Sequence, residues 1–277
     1  MPLGLRHGTV SAIREALPEL VRLEVDGIPC VAYPRLTGPV ELGDDVLVNE
    51  QARLLELGSG GFDVLYANLT RGLGLPPEEG AHVIALPYTP GQVPQCYKEE
   101  TDELAASLDG MPVVLCTLHS QVAPVCAGLR GFRVAYVQVA GGALPVSLSD
   151  TVRALKAEGL LEVACAVAPC LDADAQFVTA AAALAWARAQ GHDVAVCAVG
   201  PGILGTGSRL GHGALALADV GNAAAALGGR PVLAVRTSDA DERERHRGVS
   251  HHADAVRALA LAELHVAADA DGEGWEE

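Results

Sequence analysis

Residues 82–266 alternate between short apolar runs and longer segments with helical periodicity, and this alternation limits the folds available to the chain. The apolar runs, which we predict to be strands, cover residues 82–87, 112–118, 133–139, 162–167, 193–199 and 231–237. The segments that we predict to be helices cover residues 97–108, 121–129, 151–158, 175–190, 214–227 and 250–264. Strands of almost continuous Val, Ala and Leu are typical of a parallel sheet that helices cover on both faces. We therefore predict a doubly wound, mostly parallel α/β domain over residues 80–266.

The N-terminal part of the chain has a different pattern. Its short alternating runs, punctuated by Gly, Pro and Asp, predict a small antiparallel β-barrel or sandwich over residues 1–72. A segment rich in Gly, Pro and Glu at residues 72–80 predicts the boundary between the two domains. The acidic residues 267–277 contain too little apolar surface to fold alone, so we expect a mobile tail.

The composition argues against nucleic acid and membranes as partners. A formal net charge of −16 opposes binding to a phosphate backbone, and ten aromatic residues offer few stacking platforms for bases. The apolar runs are shorter than the roughly 20 residues needed to cross a bilayer, and no secretory signal pattern is visible. The seven cysteines lack paired spacing, so we expect mostly buried thiols in a cytoplasmic protein. A monomer and a homo-oligomer both remain open.

A glycine-rich loop at residues 200–213 follows the apolar run 193–199 and precedes a predicted helix. Six glycines in fourteen residues let the backbone adopt positive φ angles and approach a ligand closely. The N-terminus of a helix adds free N–H groups and positive partial charge, which favour an anion. We therefore predict that the loop binds a small phosphate- or carboxylate-bearing ligand. The predicted ligand-binding residues are Gly202, Gly205, Thr206, Gly207, Arg209 and, from a later segment, Arg247.

Two nucleotide-binding motifs fit this loop less well. Residues 200–205 match the dinucleotide pattern GxGxxG, but the glycines continue to Gly213 and no acidic residue stands at the expected distance. Thr206 stands where the lysine of a nucleotide P-loop would follow Gly205. We assign no cofactor from these patterns.

Three histidines are candidates for the catalytic acid or base. His251 and His252 follow Ser250, which we predict to be the N-cap of the last helix. The positive end of the helix dipole lowers a histidine pKa, which keeps the imidazole neutral for base catalysis or metal ligation. His119 lies at the end of the run 112–118 and is the third candidate.

A metal site and a cysteine nucleophile are further interpretations. Cys116 and His119 have a loose metal-ligand spacing, to which Asp172 and Asp174 could add carboxylates. A buried Cys116 with His119 capping the next helix explains the same residues equally well. Cys170 is the cysteine that we expect to be most exposed, although no histidine is clearly its partner.

The polar clusters all follow predicted strands. Ligands of doubly wound sheets bind beyond the carboxyl ends of the strands. We therefore expect one cleft to be lined by His119, Gly141, Cys170, the loop 200–213 and His251.

Several short motifs together resemble the bacterial "domain of unknown function 3866" family. The resemblance covers nearly the whole chain and depends on residues 43–49, 57–61, 86–90, 118–120, 141–145, 149–152, 200–207 and 246–252. It implies the same fold and site region, but no activity, because none is established for the family. Similar proteins have a Gly-His-Ala-Phe-Gly-Gly-Asp type segment where this chain has residues 167–174. If that histidine is catalytic in relatives, its absence implies a divergent or inactive member with Cys170 or Asp172 in altered roles.

The leading functional hypothesis is an enzyme that acts on a small anionic metabolite held by the loop 200–213. The alternatives are a non-catalytic ligand sensor or partner-binding protein, with the N-terminal barrel transmitting occupancy of the pocket, and a metal-dependent hydrolase. The sequence does not decide between them.

Overall fold

The computed structural model describes residues 3–56 and 61–266. It divides into two compact units, Met1–Gln95 and Cys96–Glu277. The predicted tail at residues 267–277 lies outside the described residues. None of the described helices combines the length and apolar character needed to span a membrane.

The first unit contains a closed five-stranded barrel with the strand order β1-β2-β3-β5-β4. Its strands pair antiparallel except for β3 and β5, which run parallel. The predicted small β-barrel is therefore confirmed, with one parallel pair added. The elements are β1 (Leu5–Ala16), β2 (Val21–Val25), β3 (Ile28–Ala32), α1 (Pro34–Thr37), β4 (Asp45–Asn49), α2 (Gln51–Leu54) and β5 (Asp63–Asn68).

Local turn chemistry and alternating burial explain the barrel. Asp26 and Gly27 both adopt positive φ angles between β2 and β3, as a two-residue hairpin turn requires. Inward-facing side chains such as Val10, Leu23 and Val46 are buried and fill the interior. The buried carboxylate of Asp63 is compensated by two guanidinium groups.

A hairpin occupies the end of the first unit. It consists of β6 (Val83–Ala85) and β7 (Val93–Gln95), which pair antiparallel. The prediction that residues 82–87 form a strand of the parallel sheet is therefore wrong. Leu86 and Tyr88 adopt positive φ angles and reverse the chain, so that β6 pairs locally instead.

The second unit is a three-layer α/β/α structure around a seven-stranded parallel sheet with the order β11-β10-β9-β12-β8-β13-β16. A separate short pair is formed by β14 and β15. The strands are β8 (Pro112–Cys116), β9 (Val134–Val139), β10 (Val163–Val167), β11 (Ala175–Phe177), β12 (Val194–Val199), β13 (Arg230–Ala234), β14 (Thr237–Ser238), β15 (Gly248–Val249) and β16 (His265–Val266). The helices are α3 (Val122–Gly128), α4 (Asp150–Ala157), α5 (Ala180–Ala189), α6 (Ala216–Ala226) and α7 (His251–Leu259).

Helices cover both faces of this sheet, which confirms the predicted doubly wound fold. On one face, α3 and α4 pack Val122 and Val152 against the strands. On the other face, α5, α6 and α7 contribute Leu184, Leu217 and Val256. Every residue of β9 and of β12 is buried, as the continuous apolar runs predicted.

Two predicted helices differ from the structure. Residues 97–108 contain only the short 3-10 turn Lys98–Glu100, because other elements take their hydrogen-bonding groups. The Ala105 and Leu108 N–H groups bond carbonyls beyond this segment, and Asp102 accepts the Trp186 indole N–H at 2.8 Å. The predicted helix 175–190 begins with strand β11, and α5 starts only after Thr179, whose hydroxyl accepts the Ala182 N–H.

The sheet order places a topological switch point between β9 and β12. These strands are neighbours, but the chain leaves β9 towards β10 on one side and leaves β12 towards β13 on the other. The loops that follow them therefore diverge at the carboxyl edge, which is where doubly wound folds bind ligands. Both of these loops are glycine-rich, at residues 140–145 and 200–213.

Candidate metal centre

The glycines at the switch point bring two loops into close backbone contact. A Cβ on Gly142 would overlap the backbone of Gly200, and a Cβ on Gly213 would overlap Gly141. The Ala143 N–H donates to the Pro201 carbonyl at 2.9 Å, which links the two loops further. These glycines are needed because the backbones of the two loops pack directly against each other.

The tip of the glycine-rich loop forms a small hairpin. Gly205 pairs with His212 in an antiparallel bridge, and the Thr206 N–H donates to the Gly211 carbonyl at 2.7 Å. The predicted ligand-binding residues Gly205, Thr206, Gly207 and Arg209 lie on this exposed hairpin, and Gly202 lies at its base. Of the six glycines of this loop, Gly202 adopts a positive φ angle and the others do not, so the freedom that glycine gives the backbone is used at one position.

Four histidine rings pack together at the end of this hairpin. His212 comes from the loop, His251 and His252 from the first turn of α7, and His246 from the 3-10 turn Glu244–His246. Ring centroids lie 4.1 Å apart for His251 and His252, 4.5 Å for His212 and His252, and 5.2 Å for His212 and His251. One ring nitrogen from each of these three residues lies within 4.8 Å of the others. We call His212, His251 and His252 the histidine triad.

The triad contains buried polar atoms without hydrogen-bond partners. His212 is 7% exposed and His252 is 6% exposed. Neither ring nitrogen of His212, nor Nδ1 of His252, has a hydrogen-bond partner among the described residues. Burial lowers the pKa of His212, and the nearby Arg209 backbone offsets this only in part, without a hydrogen bond of acceptable geometry to the ring. Unpaired buried nitrogens are rare in folded proteins and need a specific reason.

The environment keeps the triad neutral. Burial is the main cause that lowers the pKa of His212 and His251, and nearby imidazole and guanidinium groups lower the pKa of His251 further. The pKa of His252 falls to about 3, again chiefly through burial and then through His251 and His212. Neutral imidazoles present free lone pairs, which is the form that binds a metal ion.

His246 supports the triad without joining it. Its Nε2 lies 3.5 Å from Nε of Arg245, which can only donate, so Nε2 carries the lone pair. Its Nδ1–H therefore donates to the Ser250 hydroxyl at 3.2 Å. Both nitrogens of His246 are occupied, while its ring packs 4.9 Å from His251. Ser250 holds the N-cap position of α7, but its hydroxyl makes no capping hydrogen bond with the helix.

His119 lies at the same edge of the sheet in a separate network. Its Nδ1 donates to the Val199 carbonyl at 3.2 Å, and Nε2 accepts from the Ser149 hydroxyl at 2.7 Å. These roles follow because the Val199 carbonyl can only accept, so a neutral His119 carries its proton on Nδ1 and leaves the lone pair on Nε2 for the Ser149 hydroxyl, which also accepts the Val152 N–H as the N-cap of α4. Within the described residues, the His119 ring contacts Tyr136 and none of the clustered histidines. His119 does not cap the following helix, since Gln121 accepts the Leu118 N–H instead.

Within residues 3–56 and 61–266, the other predicted metal ligands and the predicted cysteine nucleophile do not form a site. Asp174 bonds Lys156 at 2.6 Å and the Ala164 N–H at 2.8 Å, and Cys116 is fully buried in the core. The expectation that Cys170 is exposed is wrong, because it is 3% exposed and packs in the core under α3 and α4. Burial raises the pKa of its thiol to about 12, which disfavours the nucleophilic thiolate.

The titration of His119 is expected to affect stability at acid pH. Burial lowers the pKa of His119 below its usual 6.5, so the unfolded chain binds more protons than the folded one as the pH falls. The stabilisation linked to neutral His119 is complete above pH 6.5 and is lost on acidification. Glutamine cannot be protonated in this pH range. The unfolding free energy of His119→Gln is therefore expected to fall less than that of the parent between pH 7.5 and 5.5, with a difference of up to about 1.4 kcal/mol per pH unit. Urea unfolding of both proteins measures this, and identical pH slopes would contradict it.

Comparison with known proteins identifies a family without a described activity. A search of curated proteins found no match. A family model described as "Protein of unknown function (DUF3866)" matches residues 29–273, which is most of the chain. Both glycine-rich loops, His119 and all four clustered histidines lie within the matched range. The chain therefore belongs to the DUF3866 family.

Proposed function

We propose that this protein is a metal-dependent hydrolase whose histidine triad binds a divalent transition-metal ion. The observation that carries this proposal is the convergence of three neutral imidazoles, two of them buried with unpaired nitrogens. A bound ion would occupy one nitrogen of each ring and so provide a partner for His212 and His252, which have unpaired ring nitrogens among the described residues.

The ligand set favours zinc or a similar ion with an open position. Imidazole nitrogens suit Zn, Cu, Ni and Fe, whereas Mg and Ca prefer oxygen ligands. Catalytic zinc sites typically use three protein ligands and leave the fourth position for water. His246 is held by Ser250 and Arg245, which supports a three-ligand site over a closed four-ligand site. This arrangement favours catalysis over a purely structural or sensing role.

Hydrolysis is the reaction that such a site performs most directly. A metal ion lowers the pKa of bound water towards neutrality, which supplies a hydroxide nucleophile at physiological pH. We propose that the substrate is small and anionic, as the neighbouring loop suggests. The hairpin that carries Gly205, Thr206, Gly207 and Arg209 ends at His212. A substrate bound to this hairpin would therefore lie close to a residue that binds the metal. We also propose a cytoplasmic location, which the seven free cysteines support.

Metal titration tests the proposal directly. The protein, purified without affinity-tag metals and treated with a chelator, is expected to take up one Zn²⁺ or Co²⁺ per chain with at least micromolar affinity. Elemental analysis gives the stoichiometry, and the visible absorption of the Co²⁺ form reports a four- or five-coordinate nitrogen site. The loaded protein is then assayed with phosphate-ester and carboxylic-ester substrates. Failure to bind either ion at micromolar concentration would refute the proposal.

A further inference from the structure

We propose that arginine side chains of residues 236–247 bind the phosphate group of the substrate and so select phosphate-bearing substrates for the metal centre. This inference depends on the proposed function, because it assigns the substrate class of the same site. It differs from the loop hypothesis in placing the recognition on arginine side chains from the segment before α7. Arg245 is the residue that we expect to contribute most.

Arg245 lies beside the metal centre, in contact with His246, whose ring packs against the triad. Its Nε donates to Nε2 of His246 at 3.5 Å, and the His246 ring packs 4.9 Å from His251 of the triad. Arg245 is exposed to solvent, so most of its donor groups remain accessible to a ligand. A guanidinium group has five N–H donors, and the contact with His246 uses only one of them.

Asp241 binds three further arginines of the same segment, two through its carboxylate and one through its backbone carbonyl. Asp241 accepts hydrogen bonds from Arg236 at 3.2 Å and from Arg243 at 3.1 Å, and its backbone carbonyl accepts one from Arg247 at 2.9 Å. The Arg243 contact is the main cause that holds the pKa of Asp241 well below its usual range, so the carboxylate stays charged. Asp241 therefore fixes the positions of three guanidinium groups, through its carboxylate and its backbone carbonyl.

The backbone ties these arginines to the metal ligands. Strands β14 and β15 pair antiparallel and close the segment into a loop. The Ser250 N–H donates to the Arg236 carbonyl at 3.0 Å, directly before His251 and His252. The arginine-bearing segment is therefore attached to α7 at the residues that carry two of the three triad imidazoles.

Phosphate fits this combination of groups better than a singly charged anion. It carries up to two negative charges and several oxygens, so one oxygen can bind the metal while others accept hydrogen bonds from a guanidinium fork. The four acidic residues of the segment, Asp239, Asp241, Glu242 and Glu244, equal its four arginines in number, so the segment has no net positive charge. Recognition must therefore come from placed guanidinium groups and not from non-specific attraction to a basic surface.

Calorimetric titration of the zinc-loaded protein with inorganic phosphate tests this inference. Phosphate is expected to bind, and acetate to bind at least about tenfold more weakly. Arg245→Gln is expected to lower the phosphate affinity by about 10- to 100-fold, the range for one charge-assisted hydrogen bond, with zinc stoichiometry unchanged. Arg245→Lys, which keeps the charge, should recover part of this loss. Arg257→Gln, which removes an exposed charge from the far end of α7, is the matched control and should leave affinity unchanged.

The outcomes separate this inference from the proposed function. Zinc uptake with equal phosphate affinity in the parent and Arg245→Gln proteins would overturn the role of Arg245 and leave the metal centre intact. Zinc uptake without any phosphate binding at millimolar concentration would overturn the substrate class. Absence of zinc uptake by the parent protein would overturn the proposed function and, with it, this inference.

Discussion

Alanine substitution of His212, His251 or His252 is expected to weaken zinc binding by more than about 100-fold each. All three contribute a nitrogen to the same small volume, and loss of one leaves two protein ligands for an ion that prefers four-coordinate sites. His246→Ala is expected to cost only roughly tenfold, the lower end of the range for residues that orient metal ligands, because its nitrogens bond Ser250 and Arg245. Competition with a chromogenic zinc chelator measures all four affinities.

Two controls make this pattern informative. His265→Ala removes an exposed histidine of the edge strand β16 and should leave zinc affinity unchanged. Thermal unfolding in the presence of a chelator measures the packing that each variant loses, because His212 and His252 are buried, and it separates that loss from the loss of a zinc ligand. If His246→Ala weakens zinc binding as strongly as the triad variants, the assignment of three ligands is incorrect.

The α/β fold was predictable because its strands are buried on both faces. Continuous apolar runs such as β9 and β12 leave little room for another interpretation. The errors at residues 82–87 and 97–108 arose where local pattern and tertiary contacts disagree. Residues 97–108 have a helical composition, but their N–H groups and the Asp102 carboxylate find partners beyond the segment, which no local pattern reveals.

The candidate site was predictable only in part. His251 and His252 were identified because a glycine and a good N-cap residue precede them. His212 was missed as a site residue, since 39 positions separate it from His251 and only the packing of α7 brings them together. The sequence did contain one signal for His212, because this residue stands near the end of a glycine-rich loop that follows a strand of the parallel sheet. His119 satisfied the same rule but lies in a different network, so sharing the carboxyl edge does not guarantee sharing a site.

The glycines of the two switch-point loops are expected to divide sharply between those needed for folding and those that tolerate a side chain. Gly142→Ala should destabilise the protein by about 3 kcal/mol, because its Cβ would lie within 2.8 Å of the Gly200 backbone, which cannot move aside like a flexible side chain. Gly205→Ala and Gly207→Ala should be nearly neutral, since their Cβ atoms would meet no atom within 4 Å and neither glycine has a positive φ angle. Thermal and urea unfolding compare the three.

Gly213→Ala extends this test from folding to the metal centre. Its Cβ would overlap the Gly141 backbone, and Gly213 directly follows the triad residue His212. Relief of the overlap must shift the end of the hairpin, so we expect both a loss of stability similar to that of Gly142→Ala and a weaker affinity for zinc. Gly142→Ala alters the same interface without adjoining a metal ligand, and it should retain zinc affinity in the fraction that remains folded. Equal melting of the Gly142, Gly205, Gly207 and Gly213 variants would show that the loops do not need this close backbone contact, and the triad geometry would then depend on α7 alone.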